Sequence, residues 1–374
     1  MSDVVLEEKG LTLALAGGGA GYFNYFWLRD NCASSFDPGT QERVYEISTA
    51  PDDLRAVSAE IVDGDLVIAW SDGGGISRYD LAWLTQWARN PGRADSARIP
   101  RRPWLGDHYD RIPRFRQPDI LTSDAVLEDW LEVLLRDGIA IVTDMANEDA
   151  ALADLATRIG IVRPCIDGYF LDIESKPEGH SLSFTAAGLE IHTDIPAEEL
   201  APGVQFLHCR VNDAVGGESL FVDGVAVAET FRETHPEAFD LLSSIDIPFF
   251  YHHETFDLRS RQRIIELDDD GAVSGITLSG HMQDVFDLDQ RFLDRFYPAL
   301  MAFHRAMNDP KYLMRFRMKA GECLVFDNHR IAHGRAPYDP STGYRRLRLC
   351  YVDRGELRST YRTLRKRAAA EAAE

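Results

Sequence analysis

The sequence contains no run of about 18 apolar residues, so no membrane-spanning helix is expected. Its five cysteines (Cys32, Cys165, Cys209, Cys323 and Cys350) are scattered, odd in number and never spaced C-x-x-C. That spacing argues against a disulfide framework and points to a reducing, cytoplasmic setting. Positive charge is scarce: 40 Lys and Arg stand against 61 Asp and Glu, a formal net charge of −21. A surface of that sign repels nucleic acid and anionic lipid, so neither is an expected partner, whereas a small molecule is. The opening MSDVVLEEKG has neither a basic nor an apolar segment, so no secretory signal is expected. No internal repeat is visible. The only biased tract is the Ala/Glu tail after Lys366, expected to fray.

What is present suffices for a large core. The 374 residues are 45% hydrophobic, which accommodates two domains. Residues 1–97 hold strand-like runs at 43–48 and 65–70, turn clusters at Asp37-Pro38-Gly39 and Asp72-Gly73-Gly74-Gly75, and a helix over 79–90. They read as a small β-rich domain, followed by a Pro/Arg-rich linker over 98–118. Residues 119–374 read as a second, larger domain. It opens with a helix capped by Ser123, with Leu127, Trp130, Leu131 and Leu134 at helical spacing and Gly138 as its stop. A strand at 139–143 and a helix over 147–160 follow. Strands are then expected at 204–209, 219–222, 247–251, 263–267, 275–278, 313–318, 323–327 and 347–352, with helices over 225–243 and 287–308. A mainly β domain with flanking helices suggests a jelly roll, the cupin-like double-stranded β-helix.

The pattern H-x-D/E brings two ligands onto one side of a strand, because residues i and i+2 share a face. It occurs as His108-Tyr-Asp110, His192-Thr-Asp194, His235-Pro-Glu237 and His252-His-Glu254. Context separates them. His108 sits in the linker, His235 beside a proline in a helix, and His252 at the end of a strand. His192-Thr-Asp194 follows apolar Leu189 and Ile191 and precedes the apolar run Val204-Gln-Phe-Leu-His-Cys209. A distal histidine is offered by Phe326-Asp-Asn-His-Arg-Ile-Ala-His-Gly-Arg335, and His333 lies just past the strand there, with His329 read as a turn histidine. Two histidines and a carboxylate on one face of a ferrous ion leave three positions open, which suits a bidentate co-substrate and O2.

The matching co-substrate is 2-oxoglutarate, whose distal carboxylate needs a buried cation. Arginine pairs a carboxylate through a planar fork and keeps its charge when buried. Tyr344-Arg-Arg-Leu-Arg-Leu-Cys-Tyr351 supplies Arg345, Arg346 and Arg348, at least one of which must face solvent. Ser219, in Gly216-Gly-Glu-Ser219, can add a hydroxyl.

Taken together, His192-Thr-Asp194, Gly203-Val-Gln-Phe-Leu-His-Cys209, Gly216-Gly-Glu-Ser219, Val222-Asp-Gly224, Phe326-Asp-Asn328, His333-Gly-Arg335 and Gly343-Tyr-Arg345 resemble the γ-butyrobetaine and trimethyllysine dioxygenases of the taurine dioxygenase-like superfamily. Trp27-Leu-Arg-Asp-Asn-Cys32 and Ser77-Arg-Tyr-Asp80 extend the resemblance to the N-terminal region. The resemblance implies a double-stranded β-helix, a small N-terminal domain and a homodimer. It implies Fe(II) on His192, Asp194 and His333, and Arg345 and Ser219 on 2-oxoglutarate.

Two departures stand out. The family's N-terminal zinc site needs a cysteine cluster and a histidine. Here Cys32 stands with Ser34 and Asp37, so no structural zinc is expected. The family's aromatic cage for a trimethylammonium group, a cation–π device, is matched by Tyr351 and by Phe184. Every tryptophan, however, lies at or before Trp130, and Asp167 and Leu171 stand where aromatics are expected, with Tyr169 nearby. Asp167 can instead pair a cation directly.

The expected function is therefore Fe(II)- and 2-oxoglutarate-dependent hydroxylation of a small substrate with a cationic, trimethylated amine and an anionic end, γ-butyrobetaine-like. A 2-(trimethylamino)ethylphosphonate or another aminophosphonate or amino acid is the alternative. Arg259, Arg261 and Arg263 are candidates for the anionic end. A zinc-dependent hydrolase would need no 2-oxoglutarate, and a non-catalytic ligand-binding barrel would not need an intact triad. Halogenation is disfavoured because Asp194 fills the halide's place.

Overall fold

The structure is a computed structural model that describes residues 4–90, 92–174 and 182–372. It divides into two compact units, residues 1–94 and 95–374.

In the first unit, two three-stranded antiparallel sheets are built from Val4–Leu6, Gly10–Ala14 and Ala20–Asn24, and from Ala56–Val62, Asp65–Trp70 and Ile76–Asp80. Alternation drives their burial: Leu66, Ile68 and Trp70 point into a core shared with Leu11, Leu28 and Leu84, while their neighbours face outward. The expected helix forms over Leu81–Arg89, where the Asp80 carboxylate accepts the Trp83 N–H at 2.7 Å. Residues 43–48 do not form a strand. Glu46 accepts the Ser48 N–H, and Ile47–Thr49 closes a 3-10 turn. The Glu46 carboxylate and the Thr49 hydroxyl, which donates to the Glu46 carbonyl at 2.7 Å, compete for backbone groups there and win locally. Cys32 Sγ lies 3.1 Å from the Ser34 hydroxyl, and Asp37 accepts N–H bonds from Gly39 and Thr40.

Residues 98–118, expected to link the two, belong to the second unit. Arg114–Arg116 pairs in parallel with Ile139–Thr143, and Trp104 is buried.

The second unit carries two main sheets. The larger runs in the order Leu171–Ile173, Arg345–Val352, Val204–Asn212, Cys323–Asp327, Ile139–Thr143, Arg114–Arg116, and Val162–Arg163 also pairs with Arg345–Val352. The smaller runs Leu189–His192, Ile331–Arg335, Ser219–Asp223, Met314–Phe316, all antiparallel. Each strand splits its residues between two layers. Val204 and Phe206 pack outward on Trp130, Leu134 and Leu152 of the helices, whereas Leu207 joins Phe221, Phe326 and Leu349 on the other side. Phe221 comes from the smaller sheet and Leu349 from the larger, so this inner layer lies between the sheets. The outer side of the smaller sheet, with Val222 and Ala332, is covered by Gly224–Thr234, Pro236–Ser244 and Gln290–Met307.

Helix limits follow local chemistry. Asp124–Asp137 starts at Ser123, whose hydroxyl accepts the Val126 N–H, and stops at Gly138 with φ +75°. The single helix expected over 225–243 is two, because Pro236 lacks the N–H and its ring restricts His235. The C-terminal tail, expected to fray, continues the helix Arg354–Glu371. Alanine, arginine and glutamate are strong helix formers, and Leu357, Tyr361 and Leu364 anchor the stripe.

Candidate active site

Three strands of the smaller sheet assemble the polar cluster. His192 ends Leu189–His192 and pairs with His333 across the ladder, while Phe221 pairs with His333 from the other side. Thr193 turns away from the cluster: its hydroxyl accepts the Leu278 N–H at 3.1 Å. That leaves His192 and Asp194 facing the same way, as the two-residue alternation requires. Asp194 Oδ1 lies 3.2 Å from His192 Nε2 and 3.6 Å from His333 Nε2. The three candidate ligand atoms lie within 4.8 Å of one another.

Supporting contacts select one atom from His192 and one from Asp194. His192 Nδ1 lies 2.7 Å from the Glu190 carbonyl, so that nitrogen carries the hydrogen and Nε2 keeps its lone pair. The Asp194 backbone is clamped by Asn328, whose Oδ1 accepts the Asp194 N–H at 2.7 Å and whose Nδ2 donates to the Asp194 carbonyl at 3.2 Å. Beyond it, Ile195 adopts φ +48°, a costly conformation for a β-branched residue. Tyr351 donates from its hydroxyl to Asp194 Oδ2 at 2.6 Å.

The electrostatics fit a cation. Burial alone would raise the Asp194 carboxyl, but His333, His192 and the Tyr351 hydroxyl outweigh it and hold the group below the usual carboxylate range. Burial pushes the His333 imidazole down to about 3, against the pull of Asp194, and the neighbouring His281 down to about 4. A neutral His333 imidazole beside an ionised carboxylate matches the protonation states that a divalent metal needs from its ligands. Two imidazole nitrogens and one carboxylate oxygen on one face suit ferrous iron with positions left open.

The cavity beside the cluster separates the three arginines. Arg345 is buried and lines it with Leu347, Leu349 and Tyr351. Arg346 and Arg348 point to the opposite face, where Asp172 takes both, at 3.1 and 2.5 Å. No acidic side chain pairs with Arg345 among the described residues, and its Nε has no hydrogen-bond partner. Burial first, then repulsion from Arg335, brings its guanidinium down to about 10. A buried, charged and unpaired arginine is costly, so this position calls for an anion. Ser219 is buried on the same cavity and sits opposite Arg335 in the ladder. Arg335 is two residues from His333, about 7 Å along a strand. That spacing suits a short dicarboxylate with one end at the triad.

The other expected residues are dispersed. Asp167 lines the cavity, and Phe184 is buried next to Ser183 of its wall. Tyr169 is 58% exposed and does not line the cavity, because the tight Cys165–Gly168 turn carries it outward. Arg259, Arg261 and Arg263 pair with Asp257, Asp287 and Asp246 on an exposed hairpin. The rejected histidines have other roles. His108 stacks on Trp104, His235 stacks on Phe231, and His329 Nε2 lies 3.2 Å from the Ala201 carbonyl.

Among the cavity residues to which the sequence reading gave no role are Gln205, Tyr251, His281 and Arg335. Arg335 was reachable, since alternation from His333 places both on one face. It donates to the carbonyls of Ser183, Thr185 and Ala187 at 3.2, 2.6 and 2.7 Å. His281 had no local signal, for its ring meets His192 only through folding, with centroids 4.9 Å apart. A roomier groove around Arg101, Glu229 and Arg354 lies away from the triad and contains none of these ligands.

Comparison with known proteins agrees with this geometry. Residues 101–351 match the model of the taurine catabolism dioxygenase TauD, TfdA family. The γ-butyrobetaine dioxygenase of Pseudomonas sp. (strain AK-1) is 34% identical over 364 residues, 96% of this chain and 94% of that protein. The human γ-butyrobetaine dioxygenase is 31% identical, covering 91% of this chain and 90% of that protein. Among solved structures, AAD-2 in complex with Mn(II) and N-oxalylglycine superposes with a TM-score of 0.50 at 14% identity, over 62% of this chain and 89% of that one, a likeness of fold. The chain belongs to the TauD, TfdA dioxygenase family, and it is an Fe(II)- and 2-oxoglutarate-dependent dioxygenase.

Proposed function

We propose that His192, Asp194 and His333 hold ferrous iron, and that Arg345 with Ser219 receives the distal carboxylate of 2-oxoglutarate. The observation that carries this reading is Arg345, buried on the cavity with no acidic partner among the described residues, while Arg346 and Arg348 share Asp172. The fold around the site is read as a double-stranded β-helix, supported by two antiparallel-rich sheets enclosing one layer. Residues 1–94 are read as a separate N-terminal domain, and the chain as a homodimer of the kind the resemblance implies, in the reducing cytoplasm that its scattered cysteines suggest.

Iron with 2-oxoglutarate and O2 supplies an oxidation that places a hydroxyl on a substrate carbon and releases succinate and CO2. The residues of this chain orient and exclude. Arg345 fixes one end of the co-substrate, Leu207, Leu347 and Leu349 keep the middle of the cavity dry, and Tyr351 and Asp167 face the substrate. The substrate is read as a small zwitterion with a trimethylammonium group and an anionic end, γ-butyrobetaine-like. The names of the relatives support this, as do Tyr351 and the carboxylate of Asp167 on the cavity wall.

The test is anaerobic addition of Fe(II) and 2-oxoglutarate, following the visible metal-to-ligand band, then succinate release across betaines, aminophosphonates and amino acids. Wild type gives the band. Arg345→Ala loses it at the same 2-oxoglutarate concentration, with KM for 2-oxoglutarate raised about 30-fold or more, since a charge-assisted pair is worth ~2 kcal/mol. An unchanged band in Arg345→Ala removes the co-substrate assignment.

A further inference from the structure

The resemblance makes Tyr351 an aromatic wall for the substrate. Its hydroxyl meets something else. Tyr351 is buried on the larger sheet and donates to Asp194 Oδ2 at 2.6 Å, within the short range of hydroxyl–carboxylate bonds. The other oxygen, Oδ1, is the one near both imidazoles, 3.2 Å from His192 Nε2 and 3.6 Å from His333 Nε2. The two oxygens of one carboxylate are thus divided between two tasks. Asn328 holds the backbone of the same residue from both sides, so rotation about the Asp194 side chain is the freedom left for Tyr351 to remove.

We propose that Tyr351 is a positioning residue for the metal, its hydroxyl holding Asp194 Oδ2 so that the carboxylate presents one oxygen to the centre. This rests on the reading that His192, Asp194 and His333 bind iron. The consequence is a matter of counting. In a six-position sphere, three protein atoms leave three places, enough for a two-toothed keto acid and one more ligand. A carboxylate gripping with both oxygens leaves two, which the keto acid fills. Tyr351 joins the two sheets at this point. Its strand belongs to the larger sheet and pairs Tyr351 with Gln205, while both histidines come from the smaller sheet. Its ring remains available on the cavity side for the substrate.

The test uses Tyr351→Phe, which keeps the ring and deletes the hydroxyl. The metal-free protein is titrated with Mn(II), followed by the free-ion EPR signal, and the Co(II) form is compared by visible absorption. We expect Mn(II) affinity to fall about 10- to 100-fold, the usual cost of removing a partner of a metal ligand, and the Co(II) spectrum to change as the freed oxygen joins the ion. KM for the substrate should move much less than the metal affinity, the reverse of what a wall alone predicts. Equal Mn(II) affinity and an unchanged Co(II) spectrum overturn the proposal. Wild-type protein that takes up no Mn(II) overturns the iron reading itself, a distinguishable failure. Should Tyr351→Phe not fold, by circular dichroism, the same Mn(II) titration and Co(II) spectrum of Tyr351→Met, which also lacks the hydroxyl, decide. Weakened Mn(II) binding with an altered Co(II) spectrum supports the proposal, and wild-type values for both overturn it.

Discussion

A single side-chain direction decides which arginine serves the cavity. Arg345, Arg346 and Arg348 are chemically alike, and the strand Arg345–Val352 sends the first inward and the other two to Asp172. Arg346→Ala should therefore change KM for 2-oxoglutarate by less than about 3-fold, because a partly exposed ion pair carries little energy. Steady-state kinetics of the Arg345 and Arg346 variants side by side measure the contrast. At Asn328, three hydrogen bonds with Asp194 and Pro202 are buried together. Asn328→Ala should lower unfolding stability by ~2–3 kcal/mol, since it orphans buried backbone groups. It should also let the strained Ile195 turn relax, weakening Mn(II) affinity in the same titration.

At the scale of elements, strand alternation and helix ends account for most of what is seen. Ser123 and Gly138 bound Asp124–Asp137 as their chemistry dictates, and both are informative to change. Ser123→Ala should cost ~1 kcal/mol through the lost cap. Gly138→Ala should cost more. Its φ is +75°, and an added Cβ would lie 2.8 Å from Arg330 Cδ. Arg330 is itself committed to Asp223 in a buried pair, so it has little room to yield. Denaturant unfolding of the two variants checks the order. The same level shows where local reading stops. Residues 43–48 alternate like a strand yet close a turn on Glu46, and the 225–243 pattern reads as one helix until Pro236 divides it.

For the whole molecule, buried histidines tie stability to pH. His208 is buried in the larger sheet with neither ring nitrogen bonded among the described residues, and burial, then Arg210, pushes its pKa down to about 4. The unfolded chain takes up this proton near pH 6.5, whereas the folded one resists until about 4. Stability is therefore full above pH 6.5 and is lost as pH falls through that window, by up to ~3 kcal/mol from this group. His208→Leu should flatten that part of the acid profile and leave stability near pH 7.5 within ~1 kcal/mol, since it removes a buried unbonded polar ring. Unfolding curves from pH 7.5 to 4 test this away from the metal cluster.

The primary chain by itself settled the reaction class. His333 was found from its place just past an apolar strand, and His192 with Asp194 because H-x-D is a local geometric statement with apolar runs around it that mark a sheet. Helix caps and most strands were legible for the same reason: each depends on residues a few positions apart. Three-dimensional packing alone decided the rest. It chose Arg345 over its neighbours, brought His281 and Gln205 to the cavity, and set the Tyr351 hydroxyl against Asp194. It also sent Tyr169 outward and gave Arg259, Arg261 and Arg263 aspartate partners. Those outcomes depend on which strands pair and in what register, as when Gln205 meets Tyr351 across 146 positions of chain (351 − 205), and no short-range pattern encodes that meeting.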